Sequence, residues 1–250
     1  DNFNLKNELD FISGGLIFSG DENTISTFTS SSNETRILNF DSVKIVLEGN
    51  GHVWDVNPNN LVVSATDSEI VIKDGSEGIK TFNGAGFTYG NLILQNEAVK
   101  IKGNNILKRL QILPGNSVYF DSGTITEIDS LDFTLDCQLP AAIMSDNANN
   151  PAIIKKSGYD TIQIEHFIVR NINADTSAGV YYEASQSYSR GNTDGWVFAD
   201  TISGETYFWL GLNSNWHDIN NWEIGGGTPA TCLPGIKDTV MVDSLIYESA

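Results

Sequence analysis

Asp121, Glu127, Asp129 and Asp132 are the residues whose types and spacing come closest to a catalytic set. Neighbouring carboxylates beside a basic residue are what a polysaccharide lyase or hydrolase needs to move protons at a glycosidic bond. With 32 Asp and Glu in 250 residues, such a cluster also arises by chance. The histidines add nothing to it. His52 falls in a turn, His166 in a strand and His217 between two tryptophans, and none belongs to a Ser- or Cys-centred motif. The expectation is therefore no enzyme, with a carbohydrate-active solenoid as the alternative.

Two loops carry oxygen donors suited to a hard cation such as calcium. One holds Asp146, Asn147, Asn149 and Asn150, and the other Asn192, Thr193 and Asp194. Neither has the EF-hand spacing, and Asx-rich turns explain both without a metal. Cys137 and Cys232 form no CxxC or Cys/His spacing, which disfavours zinc. One disulfide and two buried thiols both remain open from the sequence. Trp209, Trp216 and Trp222, like Tyr181, Tyr182 and Tyr188, could stack on a sugar ring in a glycan-binding module. The favoured reading is that the three tryptophans form the small core of an inter-module junction.

The elements that would position these residues are short strands. Val43–Leu47, Ile70–Ile72, Leu92–Leu94, Leu110–Leu113 and Leu131–Leu135 recur about every 20 residues, separated by Gly/Asn/Asp turns. Secondary strands of the same texture, Leu61–Val63, Val99–Ile101, Val118–Phe120 and Ile125–Ile128, lie between them. This period predicts an all-β, right-handed parallel β-solenoid, in which each coil is buried only by the next. An antiparallel sandwich is the rival arrangement. Residues 136–158, with Pro140 and Pro151, read as a loop and hairpin. Residues 136–204 read as the closing coils and cap, so 1–204 form one module. Residues 205–250 form a Trp-rich junction and the start of a second β module.

Composition narrows the partners. A net charge of −18 repels phosphate backbones and anionic headgroups, so neither nucleic acid nor an acidic membrane surface is expected. No apolar run is long enough for a membrane helix, so no membrane insertion is expected. The chain starts at Asp1 without an initiator Met and stops just after a strand-like stretch, which suggests a segment of a longer protein.

The segment from Trp209 through Gly211, Ser214, Trp216, Asp218 and Asn221 to Trp222, followed by Pro234-Gly235 and Asp238-Thr239-Val240, resembles the opening of a known repeat module. Such modules belong to giant surface proteins of gliding and related bacteria, exported by the type IX route. Ala184 to Phe198, with Gly191-Asn192 and Gly195-Trp196, looks like the end of the preceding module. The resemblance implies tandem β-rich modules at the cell surface, with a role in adhesion or gliding motility. The implied partners are neighbouring modules of the same chain, surface glycans or other outer-surface proteins. Ser189-Arg190 departs from the family pattern, which has an acid at that first position, and this weakens a calcium site there.

Overall fold

The computed structural model describes residues 2–73, 78–133, 139–199, 204–225, 227–234 and 238–242, with only the backbone of Phe133. The recurring apolar strands stack in parallel as a β-solenoid of about 8 turns. Ile45, Ile70, Leu92, Leu110 and Leu131 stand directly above one another, each pairing with the next coil. All five are buried. The sequence period is thus the length of one coil, and the apolar ladder is the spine of one face.

Strand Glu22–Ser30 turns the corner between two faces. Its first half pairs with Lys44–Leu47 and its second half with His52–Val56. The second face runs on through Lys80–Asn83, Ala98–Lys102, Ser117–Phe120, Ala141–Ser145 and Phe167–Arg170. Two three-stranded sheets complete the coils, Gly14–Ile17, Arg36–Asn39 and Leu61–Ser64 in the early ones and Ile162–Glu165, Tyr182–Ser185 and Trp196–Val197 in the late ones, while Ile125–Ile128 is continued by Ala152–Lys156 and Ile172–Ala174.

Between the faces, the early coils are filled by aromatic rings. Phe28, Trp54 and Phe82 are in register, with ring centroids 4.4 Å apart for the first pair and 6.3 Å for the second. Tyr89 meets Trp54 edge-on, accepts its indole N–H at 3.3 Å and donates to the Gly84 carbonyl at 3.0 Å. The polar tips are therefore satisfied inside the core, as buried aromatics require. Burial pushes the Tyr89 phenol far up, so it stays a neutral donor.

Residues 141–156 differ from the hairpin expected there. Ala141–Ser145 and Ala152–Lys156 lie on different faces and pair in parallel with the coils before and after. Pro151 sits just outside a strand, where its missing N–H costs no ladder bond. His166 is not in a strand either. It has φ 58° at the corner between Ile162–Glu165 and Phe167–Arg170.

Beyond the solenoid, Thr228–Pro229, Trp222–Ile224, Thr206–Trp209 and Thr239–Val242 form a separate four-stranded sheet. Its last pair is parallel and the others are antiparallel. Tyr207, Trp209, Trp222 and Ala230 make a core distinct from that of the solenoid.

Candidate functional site

Each of the four candidate acids is paired with a different base. Glu127 projects from one side of the coil, accepting from Lys155 Nζ and from Ser157 Oγ, each at 2.8 Å. Asp129 accepts from Lys156 Nζ at 2.8 Å. Asp132 pairs with Arg109 one coil away. Asp121 sits at another corner, 2.7 Å from Lys100 Nζ, which also meets Asp146 at 2.8 Å. Each acid is thus held by a base of an adjacent coil. The hydrogen bond from Lys155, helped by Ser157 and opposed by burial, holds the Glu127 carboxyl below the usual range. A general acid needs the opposite shift, upward toward neutrality.

The same arrangement recurs along the solenoid. Lys44 bridges Glu22 at 3.0 Å and Glu69 at 3.7 Å, in the coils on either side of it. Lys73 meets Glu48, and Lys108 reaches two coils back to Asp67. Stacking in register places a residue's vertical neighbours roughly one strand spacing away, about 4.8 Å. Opposite charges one period apart in sequence therefore become contacts automatically. Most of these pairs are solvent-exposed, and each contributes little alone.

The two calcium-candidate loops are close to one another, a proximity with no counterpart in the sequence pattern. Asn192 Nδ2 donates to Asn171 Oδ1 at 2.9 Å and to the Ala148 carbonyl at 3.4 Å. In the first loop, two of the candidate side chains already have their oxygens engaged. Asn147 Oδ1 accepts from Asn149 N–H, and Asp146 accepts from Ser122 N–H and from Lys100. Burial tends to raise the Asp146 carboxyl, but Lys100 and the Ser122 amide outweigh it and hold it low. Asp194 N–H donates to Asn173 Oδ1. Among the described residues no group of three or more His, Cys, Asp or Glu is placed to hold a metal ion. Cys232 is disulfide-bonded, and the chain's other cysteine, Cys137, lies outside the described residues.

Trp209, Trp216 and Trp222 do come together. Their ring centroids are 5.6, 4.8 and 4.5 Å apart, and Trp222 Nε1 donates to the Trp216 carbonyl at 3.0 Å. Trp209 and Trp222 are buried at 8% and 1% exposure, whereas Trp216 is 45% exposed. A short 3-10 turn, Ile219–Asn221, capped by the Asp218 side chain, brings Trp222 back beneath Trp216. Of the tyrosines, Tyr182 is buried against Trp196, and its hydroxyl accepts the Lys156 N–H at 2.7 Å. Tyr181 faces solvent.

Arg36 does not stand out in the sequence, yet it is fully buried with no carboxylate partner among its hydrogen bonds. Its guanidinium donates to the carbonyls of Ser30, Glu34, Asn57 and Asn59 and to Ser30 Oγ. It thereby ties the corner at 30–34 to the corner one coil on. The Ser/Asn-rich runs at 30–33 and 57–60 are the only hint of this, because they mark corners with carbonyls turned inward.

Set against known proteins, the chain matches no family model, no curated protein and no solved structure at significance. Among the described residues no helix is long and apolar enough to cross a membrane.

Proposed function

We propose that this chain is a structural and adhesive module of a secreted cell-surface protein, a stiff spacer that carries further modules of the same chain. One observation carries the reading: Asp121, Glu127, Asp129 and Asp132 are each paired with a base from an adjacent coil. Ion pairs of that kind follow from coil-to-coil register and give each of these four acids a structural partner. A separate aromatic-cored sheet after the last coil fits modules joined in tandem. The pattern from Trp209 to Trp222 adds the type IX export route, and adhesion or gliding motility as the purpose. Surface glycans and other outer-surface proteins are the partners such a module would meet, and calcium at the 146–150 and 192–194 corners remains part of the proposal.

Antibody against the chain, applied to intact cells that make it, tests the reading. Labelling without permeabilisation, with attachment or gliding lost when the segment is deleted in frame, is the expected result. Labelling only after permeabilisation would overturn it.

A further inference from the structure

Of the five tryptophans, Trp54, Trp196, Trp209 and Trp222 are buried, and Trp216 alone presents its ring to solvent. Exposing nearly half an indole forgoes burial worth as much as any side chain can supply. The ring is nevertheless fixed in place. Trp209 stacks against it within 19° of parallel, Trp222 meets it at 80°, and the Trp222 indole N–H holds its carbonyl. The two buried rings back it from inside the unit, so the exposed part faces outward. A flat apolar surface whose rotamer is already locked loses little entropy when something settles on it.

The surroundings define what that would be. Leu212, 68% exposed, lies four residues before Trp216 on the same loop. The remaining exposed neighbours, Asn213, Ser214, Asn215 and His217, are uncharged or weakly basic. Asp218 is the loop's one carboxylate, and its oxygens are engaged within the loop itself. It accepts from Asn213 Nδ2 at 2.7 Å and from the backbone and side-chain nitrogens of Asn220 at 3.0 and 2.8 Å. Those bonds, the Asn213 amide first, hold its carboxyl below the usual range. Asn221 in turn pins the loop from below, donating to Asn213 Oδ1 and to the Asn215 carbonyl. The platform is therefore flat, rigid and edged by neutral hydrogen-bonding groups, on a chain whose charge of −18 repels polyanions.

We propose that Trp216, with Leu212 on the same loop, is a stacking platform for the C–H face of an uncharged pyranose in a surface glycan. The inference rests on the adhesive reading and gives that reading a contact point. It does not share its test, because surface labelling of intact cells can succeed whether or not Trp216 binds a sugar.

The intact chain is titrated with uncharged oligosaccharides of glucose, mannose, galactose and N-acetylglucosamine, with a polyuronate, and with a lysine-rich peptide. Tryptophan emission and calorimetry are the readouts. Trp216 is the ring solvent reaches, so it dominates any emission change on binding. At least one neutral oligosaccharide is expected to bind, with the polyuronate and the peptide silent. Trp216→Leu keeps an apolar cover over Trp209 but removes the flat ring. It should weaken binding by about tenfold or more, as loss of an aromatic anchor does, with a melting temperature close to the parent's. Trp216→Tyr should restore most of the binding. Binding of no neutral sugar, undiminished binding by Trp216→Leu, or a response confined to the polyuronate or the peptide would each overturn the proposal.

Discussion

Replacing Arg36 by Met keeps most of the stem volume and deletes every guanidinium hydrogen-bond donor from the interior. The acceptors left behind fall into two groups. The carbonyls of Asn57 and Asn59 lie at an exposed turn, where water can replace the guanidinium. Ser30 is fully buried; its carbonyl keeps the Asn57 N–H and its hydroxyl keeps its bond to the Phe11 carbonyl, but each loses the charged donor Nη1, now 2.5 and 2.7 Å away. Two hydrogen bonds from a charged donor at about 1.5–3 kcal/mol each give roughly 4 kcal/mol, less the desolvation the guanidinium no longer suffers, so about 3 kcal/mol. At about 2–4 °C per kcal/mol for a chain of this size, the melting temperature should fall by roughly 6–12 °C. Arg36→Lys offers its donors at one point and cannot span both corners, so it should lose about half as much. Hydrogen exchange localises the effect. The amides of Arg36 and Asn57, bonded to the Asn60 and Ser30 carbonyls, should open faster, while those of Ser117–Phe120 stay protected. An Arg36→Met chain whose melting temperature lies within about 1 °C of the parent's, against the several degrees expected, would refute the reasoning.

A Cβ at Gly90 would lie 2.7 Å from Ser68 N and 3.0 Å from the Thr66 carbonyl oxygen, and closer still to the Ser68 carbonyl. Gly90→Ala should therefore cost about 1–3 kcal/mol in a urea melt, whereas Gly15→Ala, with open space around it, should be neutral. Because Lys155 holds Glu127 low, that pair supports the fold above the ordinary Glu value, and its contribution is lost as pH falls from there through the lower folded value. Glu127→Gln should make stability less sensitive to acid in that window, and an unchanged acid limb would remove the pair from the account. Trp222→Ala should destabilise the four-stranded sheet by about 3–5 kcal/mol, and Trp216→Leu by much less. Thermal melting followed by tryptophan emission separates these two, and equal losses would contradict the difference in burial.

The solenoid is legible in the sequence because its period is carried by apolar residues. Ile45, Ile70, Leu92, Leu110 and Leu131 are each flanked by polar turns, and they fall in one ladder. The opening coil is harder to read. Glu22–Ser30 buries Asn23 and Ser30 alongside Ile25 and Phe28, so its inward face does not look apolar. The hairpin expected near Pro151 is absent because two short strands with a turn between them look alike whether they pair with each other or with neighbouring coils. The carboxylate cluster misleads for a related reason. Asp121, Glu127, Asp129 and Asp132 are close in sequence, but Asp121 precedes strand Ile125–Phe133, the other three are spread along it, and each is taken up by its own base. Their partners Lys100, Lys155, Lys156 and Arg109 lie about one coil away, at a spacing that only register reveals. For the tryptophans, spacing indicates proximity but not exposure. That Trp209 and Trp222 are inside while Trp216 is half outside follows from the Ile219–Asn221 turn and its Asp218 cap.

We propose that Asp121, Glu127, Asp129 and Asp132 serve as coil-to-coil ion-pair partners and not as catalysts. Incubating the purified chain with a panel of neutral and acidic polysaccharides, and following new reducing ends and unsaturated uronate absorbance, tests it most directly. No sustained product release is expected from any substrate, and an Asp129→Ala chain should differ from the parent only in stability. Turnover by the parent that disappears in Asp129→Ala, with the fold intact by melting, would contradict the claim.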